Sequence, residues 1–111
     1  AIDLLRPEPR RLLRTIEREM RTFNQDIINP EIPELSVAHL EPVLRMVARS
    51  RAKYLKALFD TASEVEGDVP GEDKISYLRE LRTTYEELVH GAKALETAIE
   101  RGYLDIVDEN S

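Results

Sequence analysis

"LRELRTTYEELVHGAKALETAI", residues 78–99, is the stretch that decides the fold. Its apolar positions are Leu78, Leu81, Tyr85, Leu88, Ala92, Leu95 and Ile99, separated by alternating steps of three and four. That spacing draws one stripe along an α-helix and is the seam of a coiled coil. The pattern occurs twice more upstream. Leu13, Ile16, Met20, Phe23 and Ile27 form one seam, and Val37, Leu40, Leu44, Val47, Arg51, Tyr54, Leu58, Thr61 and Val65 form another with two polar members.

Turn residues separate the three seams. "RPEPRR" opens the first helix, with Pro9 suited to a first helical turn. In "NPEIPEL", Asn29 and Ile32 each precede a proline and are pushed away from helical angles. Ser36 is the N-cap expected for the second helix, where Pro42 is tolerated near the start. "EGDVPGED" is the second break, and Gly102 supplies a left-handed cap for the third helix. The expected helices are 9–28, 37–65 and 73–101, in a single domain 1–111 with a tail at 102–111. The tail is acidic and expected to fray beyond Tyr103, which packs back onto the last turn. The second and third helices, at about 29 residues, each reach roughly 43 Å.

Residue numbers on the second and third seams pair to a constant. Leu58 with Leu81, Tyr54 with Tyr85, Arg51 with Leu88, Val47 with Ala92 and Leu44 with Leu95 all sum to 139. The midpoint falls in the Gly/Pro break, as an antiparallel hairpin requires. The first and second seams pair around 64, for example Leu13 with Arg51 and Met20 with Leu44. The expected fold is therefore all-α: an up-down-up antiparallel three-helix bundle with two long coiled-coil-like helices, completed by dimerisation.

Composition narrows the function classes. At 111 residues the chain holds one modest core, and 34% charged residues with few aromatics describe a soluble helical domain. The absence of cysteine removes disulfides and thiolate chemistry and fits a cytoplasmic protein. There is neither a signal-peptide pattern nor a membrane span. The chain lacks an initiator Met and reads as trimmed or as part of something longer. Residues 1–56 carry 11 basic against 8 acidic side chains (+3) and residues 57–111 carry 5 against 14 (−9), giving the net −6. That balance disfavours nucleic acid as the main partner, and the two halves are expected to attract each other within the fold or across a dimer.

Glu87 and His90 form the Glu-x-x-His pattern that di-iron helical bundles use. Both fall outside the seam, and such sites need two of these elements plus further glutamates pointing inward. A dimeric metal site at Glu87 and His90 is therefore the alternative. The expectation is a structural ion pair from Arg51 to Glu87, because an unpaired cation in a seam is costly. Thr84, Gly91 and Ala98, beside Ala92, form a small-residue column read as close helix packing, with self-association or a shallow groove as the other reading. Arg11, Arg14, Arg18 and Arg21 line the first helix opposite its seam, a possible face for an anionic partner, with Glu17–Arg21 pairing as the plainer account.

The end of the hairpin carries the functional expectation. The first helix covers the second only to about residue 52. Tyr54, Leu55, Leu58, Phe59, Ala62 and Val65, facing Ile75, Leu78, Leu81 and Tyr85, are then left to be covered by Ile2, Leu4 and Leu5 or by another chain. Exposed apolar patches of that size mark interfaces. The expected function is a non-enzymatic interaction module without cofactor. It docks a second subunit or a partner helix through Tyr54, Leu55, Leu58, Phe59, Ala62, Leu78, Leu81 and Tyr85.

Overall fold

A computed structural model describes residues 7–32 and 34–107. These form three helices: α1 (Pro7–Glu31), α2 (Val37–Glu64) and α3 (Glu72–Glu100). Among the described residues no strand forms beyond one parallel bridge between Leu35 and Ile106. None of these helices is long and apolar enough to cross a membrane. The chain divides into two compact units, residues 38–96 and residues 1–37 with 97–111.

The first of these units is the α2/α3 hairpin. Tyr54 stacks on Tyr85 with ring centroids 6.3 Å apart, and Lys74 bridges to Glu64 near the bend. Both contacts fit the antiparallel register expected from residue numbers. The bend is a double-bonded helix cap: Gly67 N–H donates to Ala62 O (3.1 Å) and Glu66 N–H to Ser63 O (3.2 Å). Glu66 occupies the left-handed position at φ 54, where a side chain is strained, and Gly67 follows at φ 81. Glu72 and Asp73 in the first turn of α3 complement its dipole.

The face of α2 turned toward α3 differs from the expected seam. The buried residues of α2 are Ser50, Ala57 and Thr61, with Leu40, Val43, Val47 and Tyr54 half-buried, as is Val65 just after its end. Leu44, Arg51 and Leu58 belong to the expected seam but are exposed. Small side chains allow closer approach of the two helices than a leucine row does, and Ser50 stays satisfied by donating to Val47 O at 2.8 Å. On α3 the expected residues Leu78, Leu81, Tyr85, Leu88, Ala92, Leu95 and Ile99 are all half-buried.

The second unit ties α1 to the C-terminal segment. Gly102, at φ 74, closes α3, with Tyr103 N–H donating to Ala98 O (2.8 Å) and Gly102 N–H to Ile99 O (3.1 Å). From α1, Arg21 Nε donates to Arg101 O (3.1 Å) and Gln25 Nε2 to Gly102 O (2.6 Å). Those side chains satisfy carbonyls that the end of a helix leaves without partners. The segment then runs beside Leu35, whose N–H donates to Asp105 O (3.0 Å) and whose carbonyl accepts from Val107 N–H (2.7 Å). Leu104 and Ser36 are buried there. The tail is thus anchored as far as Val107 rather than frayed beyond Tyr103. What lies beyond Val107, and the fold-back expected of Ile2, Leu4 and Leu5, fall outside the described residues.

Helix α1 is longer than expected at both ends. Pro7, not Pro9, opens it, and Pro30 lies inside its last turn. A proline there forfeits one N–H bond while its fixed φ stays helical, and Ile32 N–H still reaches Ile28 O at 2.8 Å. The apolar seam of α1 is open: Leu13, Ile16, Met20, Phe23 and Ile27 range from 43% to 70% exposed.

Two caps test this geometry. Glu66→Gly removes a left-handed side chain and is expected to stabilise the hairpin by about 0.5–1 kcal/mol, whereas Gly102→Ala costs about 1 kcal/mol. Urea unfolding followed by circular dichroism measures both. Equal, near-zero changes would contradict the cap assignments.

Candidate functional site

The exposed row of α2 comprises Leu44, Ala48, Arg51, Leu55, Leu58 and Ala62, at steps of three and four, with Phe59 beside it. Leu55 and Leu58 are 43% and 44% exposed, and Phe59 is 72% exposed. The row exists because the smaller face of α2 has taken the contact with α3. Tyr54, Leu78, Leu81 and Tyr85, expected at the same interface, are half-buried in the hairpin rather than exposed with the row. Ile75 on α3 and Val69 in the bend add further exposed apolar surface at this end. Among the described residues the only buried hydrophobic side chains are Ala57 and Leu104.

Arg51 interrupts the row, and among the described residues it has no acidic partner. Its Nε donates to the Tyr85 hydroxyl at 3.2 Å, and its guanidinium carbon lies 5.3 Å from the centre of the Tyr85 ring. The expected ion pair with Glu87 is therefore not what holds it. Glu87 stands on the outer side of α3 and is exposed, while Glu86 lies 3.7 Å from Arg82 on its own helix. Sequence reasoning looked for a carboxylate and overlooked the tyrosine ring, whose face attracts a cation and whose hydroxyl accepts a hydrogen bond.

The other candidate residues are spread apart. Glu87 and His90 are both exposed, and no group of three or more His, Cys, Asp or Glu side chains gathers as a metal cage among the described residues. The small-residue column divides. Ala92 and Ala98 are half-buried, but a side chain added at Gly91 would meet nothing within 4 Å, so packing among the described residues does not explain Gly91. Arg11, Arg14 and Arg18 are exposed, and Arg21 is engaged with the Arg101 carbonyl rather than with Glu17. Lys56 donates to Asp60 at 2.8 Å, and that hydrogen bond, together with the carboxylate's charge, holds its ammonium pKa above the ordinary lysine value.

A groove unmarked by any sequence motif runs along the opposite flank of α2. It has a volume of about 400 Å³ and lies between Met46, Arg49, Ser50 and Lys53 of α2 and Leu81, Thr84 and Leu88 of α3. The buried Ser50 marks the inner edge of this trough on α2. Thr84, singled out from the small-residue column, forms part of its α3 wall.

The role of Tyr85 is separable by substitution. Tyr85→Phe keeps the stacked ring and the cation over it, so it should cost no more than about 0.5 kcal/mol; Tyr85→Leu removes both and should cost about 1 kcal/mol or more. Thermal unfolding of the two variants checks the order, and Phe as damaging as Leu would mean the hydroxyl alone matters. Comparison with protein-family models, with curated proteins and with solved structures finds no match for the chain, so the functional reading rests on this geometry.

Proposed function

We propose that this chain is a non-enzymatic helical interaction module that associates through the apolar end of the α2/α3 hairpin. The observation that carries the reading is the row Leu55, Leu58, Phe59 and Ala62, exposed on a helix whose contact with α3 is made by Ser50, Ala57 and Thr61. Covering a leucine or phenylalanine side chain in full is worth about 1.5–3 kcal/mol relative to water. A contiguous row of them at helical spacing fits a partner helix.

A second copy of the chain is the occupant that accounts best for both halves of the pattern. The seam of α1 and the row of α2 are open together, and both have the three-and-four spacing that seats one helix against another. On this reading the up-down-up bundle expected from the sequence is completed by dimerisation. Arg51, already turned onto Tyr85, enters the interface with its charge partly screened by the ring instead of needing a carboxylate from the partner.

Size-exclusion chromatography with light scattering tests the proposal. The wild-type chain should self-associate, and Leu58→Glu with Phe59→Glu should weaken association at least tenfold while the helical circular dichroism spectrum is retained. A strict monomer at high concentration, with the double variant indistinguishable from it, would contradict the proposal.

A further inference from the structure

We infer that the groove on the other flank of the hairpin is a docking site for an acidic amphipathic helix. This surface is distinct from the row above. Its lining residues on α2 follow Met46 and Lys53, whereas the apolar row follows Leu55, Leu58 and Ala62 on the far side of the same helix.

The floor and the wall have different chemistries. Met46, Leu81 and Leu88 supply the apolar floor, and Arg45, Arg49 and Lys53 stand along the α2 wall with no acidic residue among the lining. On α2 no acid occurs anywhere between Glu41 and Asp60. The three cations are spaced four residues apart, so they form one row rising about 6 Å per step over some 12 Å. Arg45 makes a long, exposed contact with Glu41 at 3.7 Å, and Arg49 and Lys53 are in no ion pair among the described residues.

This arrangement selects the occupant. A small anion would meet one cation and leave the apolar floor wet. An α-helix lying along the groove repeats at the same pitch as the wall. Carboxylates four residues apart on one of its edges would meet Arg45, Arg49 and Lys53 in turn, while its apolar stripe covers Met46, Leu81 and Leu88. Thr84 keeps the α3 side low enough for close approach. A continuous phosphate backbone fits less well, because exposed Glu80 and Glu87 lie one turn either side of Thr84 on α3. The same two carboxylates orient the occupant by keeping its acidic edge toward α2.

The test is fluorescence anisotropy on the intact chain. The probe is a labelled synthetic peptide of about five helical turns, with leucines along one stripe and glutamates along one edge. Its control carries lysines in place of the glutamates. The acidic peptide should bind and lose affinity several-fold between low and high salt. Arg49→Glu with Lys53→Glu should weaken it roughly tenfold or more, and the lysine peptide should recover binding to that variant. Leu58→Glu should leave peptide binding unchanged, which separates this site from the association row. Equal binding of both peptides, or no binding at millimolar concentration, would overturn the proposal. So would loss of peptide binding in Leu58→Glu. If Arg49→Glu with Lys53→Glu instead dissociates the chain's own oligomer, the groove is an interface between copies and the inference is wrong.

Discussion

The packing of α2 against α3 on the face that buries Ser50, Ala57 and Thr61 sets the character of the rest of the hairpin. Two helices approach according to the size of the residues between them, and the three residues that α2 buries most fully, Ser50, Ala57 and Thr61, are small. Val43, Val47 and Tyr54 share that face half-buried, while Leu44, Leu55 and Leu58 lie outside it. One flank carries Leu44, Leu55 and Leu58 into water, and the other leaves a trough bounded by Met46 and Lys53. The exposed row and the groove therefore have one cause.

Much of this was legible in the sequence, and the reasons for success and failure are specific. The seam of α3 is half-buried at every expected position from Leu78 to Ile99, because its apolar residues recur regularly along that helix. On α2 two rows compete. Val47, Tyr54 and Thr61 belong to the contact as expected, but Leu44, Arg51 and Leu58 lose their place to Ser50 and Ala57. Hydrophobic periodicity weights residues by their desire to leave water and is blind to the gain from close approach of small ones. The antiparallel register survived because Tyr54 and Tyr85 lie on rows that both readings share.

The candidate surfaces show the same division. Leu55, Leu58 and Phe59 were foreseen as uncovered, by an argument about how far α1 extends; the pairing of α2 through its small face supplies a more local cause. Arg51 was foreseen as a cation needing a partner, yet the partner is an aromatic ring that any ion-pair search passes over. The groove had no sequence signature. Arg45, Arg49 and Lys53 look like ordinary solvated charges until the helix is turned and they line a wall above Leu81 and Leu88. The anchoring of the C-terminal segment on Leu35 likewise rests on backbone groups, which carry no pattern in the side chains.

The central claim is that the small face of α2 is its inner face and the leucine row its outer one, open in the isolated chain and covered when chains associate. With no native cysteine, single thiols report on this directly. Labelling rates of Leu58→Cys and Ala57→Cys should be measured across protein concentration. The account predicts that position 58 reacts fast when dilute and becomes protected as concentration rises, while position 57 is slow throughout. A slow position 58 beside a fast position 57 in dilute protein would contradict it, as would a rate at position 58 that does not change with concentration.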